Sequence, residues 1–319
     1  MSSKFKIKTI IIGLGNIGMD YDLKSKNSIL SHCKSVSKSK HFELEGAVDT
    51  SKIKRKIFEQ IYKKKAFSSI KELINRKLHF ELAIISANTS NHLKIIQSMS
   101  SKKYKFCILE KPGGIDFKQF KKILSILKKN NTKVLINYFR NYLTEFELIK
   151  NKFKRNTTSY FFYNRGLVNN CSHLLSFCLK NFGKLKYFKL IKIPHFKNNK
   201  EDPSFFAKFK RINAFFFNIG LKNCGQNKFL TFDSNKLFES RESFNSFYLS
   251  NVYRSGMIKN TYDFNDKYPK KIIKTNNKAQ LETLEKMYKI FNSKNLYKKY
   301  YKINFKTYEI IDKIQKKTR

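Results

Sequence analysis

Hydrophobic and polar positions change their spacing repeatedly in the first 137 residues. Short apolar, β-branched runs alternate with segments in which apolar residues recur every three or four positions. A buried strand accounts for each run and an amphipathic helix for each segment, so the pattern predicts a doubly wound parallel sheet of the Rossmann type. The predicted strands are 7–12, 42–48, 81–86, 105–109 and 133–137, and the predicted helices are 51–63, a segment from 91, and 116–129.

The pattern changes after Tyr138. Several short aromatic-rich runs follow one another there, which is typical of an antiparallel sheet whose aromatic residues form a core. We therefore predict a dinucleotide-binding Rossmann domain over 1–137 and an α/β domain with a largely antiparallel open sheet over 138–319. The predicted helices of this second part are 144–153, 171–181, 279–291 and 305–314, and the strands are 158–163, 185–193, 205–209, 214–219, 229–232 and 246–249.

A glycine pattern, GLGNIG at 13–18, directly follows the first predicted strand. Gly13 would allow a tight turn, Gly15 would let the backbone approach a pyrophosphate, and Gly18 would let a helix pack closely on the strand. The helix would point its free N–H groups at the phosphates. The context favours a dinucleotide site over an ordinary glycine turn.

Asp49 ends the second predicted strand, where a carboxylate can accept hydrogen bonds from ribose hydroxyls and would repel a 2′-phosphate. NAD is therefore the favoured cofactor, although Lys52 and Arg55 follow closely and keep NADP possible. The separation from Gly18 exceeds the usual ~20 residues, which predicts a loop at 20–27 before a helix that carries His32. Alternatively, Asp49 only caps the helix that starts near Ser51.

The tripeptide Glu110-Lys111-Pro112 follows the strand predicted at 105–109. Its position would place an ammonium group on the same edge of the sheet as the glycine turn. A lysine that is desolvated there can exchange a proton with a hydroxyl or carbonyl oxygen. On local sequence alone, a surface lysine before a turn is the alternative.

Charge and cysteine content narrow the class of protein. Lys and Arg number 67 and Asp and Glu number 23, for a net charge of +44. Only nine of these cations are Arg, the residue that reads phosphates and bases bidentately, and the charge is spread evenly along the chain, so we expect no specific nucleic-acid partner. Five cysteines without a CxxC pair, and no apolar run long enough for a membrane span or export signal, predict a cytoplasmic protein.

Four stretches together resemble the Gfo/Idh/MocA family of NAD(P)-dependent oxidoreductases. They are the glycine pattern, SANTSNH at 86–92, Glu110-Lys111-Pro112, and GLVNNCSH at 166–173. The stretches at 14–22 and 166–173 are also similar to a branch found among surface-polysaccharide enzymes. The resemblance implies a Rossmann domain followed by an α/β domain whose sheet face carries a sugar or polyol site and often the contact of a homo-oligomer.

The resemblance also implies roles for individual residues. Lys111 would touch nicotinamide and substrate and help to move the proton, and His173 would be the usual acid or base. Without the resemblance, a hydrogen-bonded core histidine is the favoured interpretation of His173, and a turn-capping role for His92 is as good as a place beside nicotinamide. The expected substrate contacts are Asn169, Tyr138, Arg140 and Arg165, of which a structural role is an equal alternative for the last three. The expected cofactor contacts are Gly13, Gly15, Asn16, Ile17, Gly18, Asp49, Ser86, Asn88, His92, Glu110 and Lys111.

The sequence departs from the family pattern at two acidic positions. Asn169 stands where the family usually has Asp, four residues before the histidine, and Ser176 stands where an Asp often follows it. Asn can bind a sugar hydroxyl, but it cannot take up a proton. A non-catalytic relative that binds a dinucleotide and a sugar is therefore the alternative to an enzyme. Cys171, His173 and Cys178 have the wrong spacing and number for a closed zinc site, and no metal is expected.

Overall fold

The computed structural model describes residues 5–150, 157–191, 202–220, 227–233, 236–241, 245–254, 262–264, 270–274 and 277–318. The chain forms two compact units. The first comprises Met1–Leu143 and Asn277–Asn304, and the second comprises Thr144–Asn276 and Phe305–Arg319. The boundary predicted at 137 therefore lies a few residues before the end of the first unit's longer segment, and a piece of the predicted second domain returns to the first unit.

Six parallel strands form the sheet of the first unit, in the order β3-β2-β1-β4-β5-β6. The strand order reverses between β1 and β4, so ligands are expected beyond the carboxyl ends of these two strands. The predicted Rossmann sheet is confirmed. Its strands are β1 Ile7–Ile12, β2 Phe42–Val48, β3 Lys65–Phe67, β4 Leu82–Ile85, β5 Phe106–Leu109 and β6 Lys133–Ile136.

Helices connect these strands, and side-chain caps set the start of four of them. Ser31, Ser51, Ser69 and Asp116 each accept the backbone N–H three residues later, which satisfies one of the free donors of a helix N-terminus. The helices of this part are α1 His32–Lys38, α2 Lys52–Tyr62, α3 Ile70–Asn75, α4 His92–Ser98 and α5 Phe117–Lys129.

The segment after the glycine turn contains the predicted loop before the helix that carries His32. A 3-10 turn at Asp20–Asp22 comes first, and α1 begins only at His32. Its first N–H groups are not free: those of His32 and Cys33 donate to the carbonyl oxygens of Ile17 and Gly18, both at 2.9 Å. The expectation that free N–H groups of this helix face the phosphates is therefore wrong, because carbonyl oxygens of the glycine turn accept its first N–H groups.

The returning segment Asn277–Asn304 completes the core of the first unit. It contains α8, Ala279–Phe291, and the first part of α9, Lys294–Thr318. Leu284, Met287 and Phe291 of α8 join the same hydrophobic cluster as residues of the sheet. The helix itself was predicted correctly, but its place was not.

The second unit contains the predicted, largely antiparallel sheet. Its order is β14-β13-β12-β11-β7-β10-β9-β8, with β15 beside β13. Among the described strands of this sheet, β7 and β10 pair in parallel, and the other pairs are antiparallel. The strands are β7 Thr158–Tyr163, β8 Leu185–Ile191, β9 Ser204–Phe209, β10 Asn213–Asn218, β11 Lys228–Asp233, β12 Lys236–Arg241, β13 Ser246–Arg254, β14 Tyr262–Phe264 and β15 Lys270–Lys274.

Aromatic side chains on this sheet alternate between a buried and a half-exposed face, as the two-residue period of a strand requires. Phe161, Phe205 and Phe216 are buried, whereas Tyr160 and Phe215 on the other face are partly exposed.

Two helices of the second unit are α6 Thr144–Lys150 and α7 Ser172–Phe182. The predicted ends at 151–153 and 192–193, and Cys224, lie outside the described residues.

Among the described residues, no helix combines the length and the apolar character that crossing a bilayer requires. Within the same residues, no group of three or more His, Cys, Asp or Glu side chains is arranged to hold a metal ion.

Candidate functional site

A cleft of about 620 Å³ opens at the carboxyl edge of the first unit's sheet. Its walls come from the segments after β1, β2, β3 and β4. The strand order reverses between β1 and β4 at this edge. Five of the predicted cofactor residues line it: Gly13, Gly15, Asp49, Ser86 and Asn88.

The three glycines of the turn have different surroundings. Gly13 has φ +100°, and a Cβ there would lie 2.5 Å from the Ala87 nitrogen. A Cβ on Gly18 would lie 2.1 Å from the Gly13 oxygen, so Gly18 packs against the turn itself. A Cβ on Gly15 would meet no heavy atom within 4 Å. Gly15 is therefore the position at which a ligand can approach the backbone.

Asp49 lies in the cleft wall and is hydrogen-bonded to the glycine turn. Its Oδ2 accepts the N–H of Leu14 at 2.6 Å, and its Oδ1 accepts the N–H of Ser51 at 2.8 Å. Ser51 is the residue that caps α2. Arg55 donates to the carbonyl oxygens of Asp49 and Thr50 at 2.8 and 2.9 Å, so its guanidinium group is engaged with the backbone.

The remaining polar lining was not predicted from the sequence. Lys71 and Lys94 line the cleft, and their charges suit the phosphates of a dinucleotide. Among the described residues, the N–H groups of Gly15 and Asn16 have no acceptor. Backbone donors, open space at Gly15 and two cations together fit a pyrophosphate.

Lys111 follows β5, one strand beyond β4 on the same edge of the sheet. The Lys111–Pro112 peptide bond is cis. Burial lowers the pKa of the Lys111 ammonium, the charge of Glu110 opposes this, and the charge of Arg140 adds to it, so the pKa lies below that of an ordinary lysine. Lys111 therefore releases its proton more readily than a lysine on the surface.

Glu110 lies inside the first unit and is only 8% exposed. His32 Nε2 and Asn137 Nδ2 lie 2.7 and 2.5 Å from its Oε1, and the Lys111 N–H donates to Oε2 at 3.2 Å. Burial raises the pKa of the Glu110 carboxyl, but His32, Asn137 and Lys111 lower it by more. Glu110 is thus a buried carboxylate with a lowered pKa, directly before Lys111 in the chain.

Three other predicted residues of the first unit are partly or fully enclosed. His92 is buried, with Nε2 2.9 Å from the Ala87 oxygen, which is the arrangement of a residue that closes a turn, and burial lowers its pKa. Tyr138 is buried. The Arg140 guanidinium lies 4.8 Å from the centre of the Phe139 ring, and burial lowers its pKa to about 10.

The predicted residues of the second unit surround the start of α7. A π-helical turn, Leu167–Cys171, follows Gly166, which has φ +95°. Asn169 and Arg165 are exposed on this loop, and His173 is buried in the first turn of α7. Asp202, from the segment before β9, accepts the N–H of Leu167 at 2.7 Å. This carboxylate contact to the loop was not predicted, since the two residues are 35 positions apart.

Residues 7–138 match the model of the GFO_IDH_MocA oxidoreductase family, which has an NAD-binding Rossmann fold. The match covers less than half of the chain and shows that these residues are similar to the Rossmann domain of this family. The match includes the glycine turn, Asp49, the Ser86–His92 segment and Lys111. The predicted resemblance and the predicted NAD-binding Rossmann fold are confirmed for residues 7–138.

Solved structures share the fold over almost the whole chain. A 3-ketoreductase from Actinomadura kijaniata, crystallised with NADP, has a TM-score of 0.72 and 9% identity and covers 97% of this chain and 96% of its own. A UDP-N-acetylglucosamine 3-dehydrogenase from Acidithiobacillus ferrooxidans has a TM-score of 0.68 and 11% identity, with 98% and 97% covered. A dehydrogenase from Clostridium difficile has a TM-score of 0.68 and 16% identity, with 97% and 98% covered. No curated protein matches the sequence significantly.

Proposed function

We propose that this protein is a Gfo/Idh/MocA oxidoreductase, which exchanges a hydride between nicotinamide and a secondary alcohol or carbonyl carbon of a sugar, nucleotide-sugar or polyol. One observation carries the proposal. A cleft that fits a dinucleotide and a lysine with a lowered pKa lie on the same edge of one sheet.

Residues of the cleft would hold the dinucleotide. Gly15 and Asn16 would donate to the pyrophosphate, and Lys71 and Lys94 would balance its charge. Asp49 would face the ribose hydroxyls, where its carboxylate disfavours a 2′-phosphate. Since Arg55 already donates to two carbonyl oxygens, NAD is the preferred cofactor and NADP the weaker one.

A bound nicotinamide supplies or accepts the hydride. Lys111 would hold a proton at the reacting oxygen, and its lowered pKa makes the transfer easier at neutral pH. We propose that His173 shares this proton transfer, that Asn169 positions the substrate, and that Tyr138, Arg140 and Arg165 contact it. An arginine contact would suit a sugar carboxylate or a nucleotide phosphate.

The substrate class is supported by the fold relative that is a UDP-N-acetylglucosamine 3-dehydrogenase and by the resemblance to a surface-polysaccharide branch. We propose a role in the synthesis of such a polysaccharide, in the cytoplasm, without a membrane or specific nucleic-acid partner. The half-exposed aromatic face of the second sheet, where Phe232 is 40% and Tyr187 49% exposed, suits the contact of a homo-oligomer.

The test is a coupled measurement of binding and turnover. Fluorescence titration with NADH and NADPH gives the two affinities, and absorbance of the reduced nicotinamide is followed with a panel of nucleotide-sugars, sugar acids and polyols. We expect tighter binding of NADH and turnover of at least one sugar. Failure to bind either dinucleotide would refute the proposal.

A non-catalytic relative is the second candidate, and the two missing carboxylates favour it. Asn169 cannot take up a proton, and Ser176 is buried where the family often has a second acid. This candidate predicts dinucleotide and sugar binding without turnover of any member of the panel. Turnover of one sugar would exclude it.

A further inference from the structure

Three nitrogen atoms lie within hydrogen-bond distance of the Glu110 carboxylate, more than it would need if it only faced a cofactor. Its Oε1 receives His32 Nε2 from α1 at 2.7 Å and Asn137 Nδ2 from the end of β6 at 2.5 Å. His32 and Asn137 are 3% and 2% exposed. Three separate elements therefore meet at one buried charge directly behind Lys111.

A buried carboxylate stays ionised only when its donors offset the loss of water. Burial raises the pKa of Glu110, and its hydrogen bond and charge interaction with His32 are the largest effects that lower it, followed by the bond from Asn137 and the charge of Lys111. Removing a donor leaves the burial in place. The carboxyl would then take up a proton more readily.

His32 is itself held in position by the glycine turn. The N–H groups of His32 and Cys33 donate to Ile17 and Gly18, as described above, and Asp22 fixes the residues just before them. Asp22 Oδ2 accepts the N–H groups of Leu30 and Ser31 at 2.5 and 2.9 Å. The backbone at His32 is thus held by the glycine turn and by Asp22.

Asn137 is held in position by contacts to β5 and α8. Its backbone N–H donates to the Leu109 oxygen at 2.9 Å, and its Nδ2 also lies 3.4 Å from Gln280 Oε1 on α8. The Asn137 amide nitrogen therefore lies between the side-chain oxygens of Glu110 and Gln280.

We propose that His32 and Asn137 are positioning residues, which hold Glu110 as an oriented carboxylate and thereby keep the Lys111 ammonium charged and in place. Only the use of that ammonium in catalysis rests on the proposed function. The arrangement of charges does not, so it can be tested in the protein without cofactor or substrate.

The sign of the effect follows from the groups that face this pair. Lys111 has the negative Glu110 and the positive Arg140 as charged neighbours, and Glu110 has His32, Lys111 and His92. If Glu110 becomes protonated, Lys111 loses its stabilising charge while its burial and Arg140 remain. The pKa of Lys111 must then fall further.

The experiment measures competitive acylation of Lys111 with acetic anhydride as a function of pH, read for its peptide by mass spectrometry. In His32→Leu the midpoint for Lys111 should fall by about one pH unit, and in Asn137→Ala it should fall in the same direction. His32→Gln keeps a donor near the position of Nε2 and should restore most of the wild-type midpoint. Circular dichroism establishes whether each variant is folded. If His32→Leu does not fold, Asn137→Ala provides the test.

His41→Leu is the matched control. His41 pairs with Glu285 at 3.3 Å in the same unit, but it precedes β2 and so lies at the opposite edge of the sheet. Its loss should leave the Lys111 midpoint unchanged. An unchanged or higher midpoint in folded His32→Leu and Asn137→Ala, or an equal shift in His41→Leu, would overturn the proposal. A shift without turnover of any sugar would refute only the proposed reaction.

Discussion

At the scale of single residues, the two ends of β5 carry lysines in opposite situations. Lys105 precedes the strand, is exposed, and pairs with Glu81 at 2.7 Å. Lys111 follows the strand, is partly buried, and has a lowered pKa. The same side chain is therefore a solvated cation at one edge of the sheet and a candidate proton donor at the other.

Replacing Lys111 with Ala should lower kcat by about 10²–10⁴-fold, the usual contribution of a positioned acid or base, while NADH affinity is largely kept. Steady-state kinetics with the best sugar and an NADH titration measure the two effects. Lys105→Ala should change neither. Unchanged turnover in Lys111→Ala would remove this residue from the mechanism.

Residue roles were only partly predictable from the sequence. The position of Asp49 on the cleft wall followed from its place after a strand, because the carboxyl ends of parallel strands share one edge. The burial of Glu110 did not follow, since its partner His32 is 78 residues away in the chain. Which side chain meets a buried charge is decided by packing between distant segments.

At the scale of elements, two glycines of the glycine turn have different surroundings. Gly18 has a backbone oxygen where its Cβ would be, and Gly15 has open space.

The short elements β3 and α3, of three and six residues, were not predicted because they are too short for a periodicity to be recognised.

Gly15→Ala and Gly18→Ala should therefore fail in different ways. Gly15→Ala should unfold at the wild-type temperature and bind NADH more weakly, because the new methyl group enters the cleft. Gly18→Ala should lose roughly 1–3 kcal/mol of stability through overpacking. Thermal unfolding and NADH titration of both variants make the comparison. Wild-type affinity in Gly15→Ala would contradict the proposed approach of the pyrophosphate to this residue.

At the scale of the whole molecule, the first unit is built from two distant parts of the chain. Phe291 of α8 is fully buried, and its ring lies 4.7 Å from that of Phe106 on β5. The core of the dinucleotide-binding unit thus depends on a segment that lies beyond the second unit in the sequence.

Phe291→Ala should reduce stability by about 3–5 kcal/mol, the usual loss for a buried aromatic side chain. NADH binding should disappear at a lower temperature, because the unit that loses stability is the one that holds the cleft. Leu296→Ala is the control, since Leu296 is 39% exposed. Equal unfolding temperatures for the two variants would show that the returning segment does not support the first unit.

The sequence alone determined the alternation of five of the six strands with the longer helices before residue 138, the glycine turn and the position of Lys111 after a strand. These features depend on local spacing, and chain direction then places the strand ends on a common edge. Only the tertiary structure decided that α8 returns to the first unit, that His32 and Asn137 meet Glu110, and that Lys71 and Lys94 line the cleft. Such contacts join residues far apart in the chain, and hydrophobic periodicity carries no information about which distant surfaces pack together.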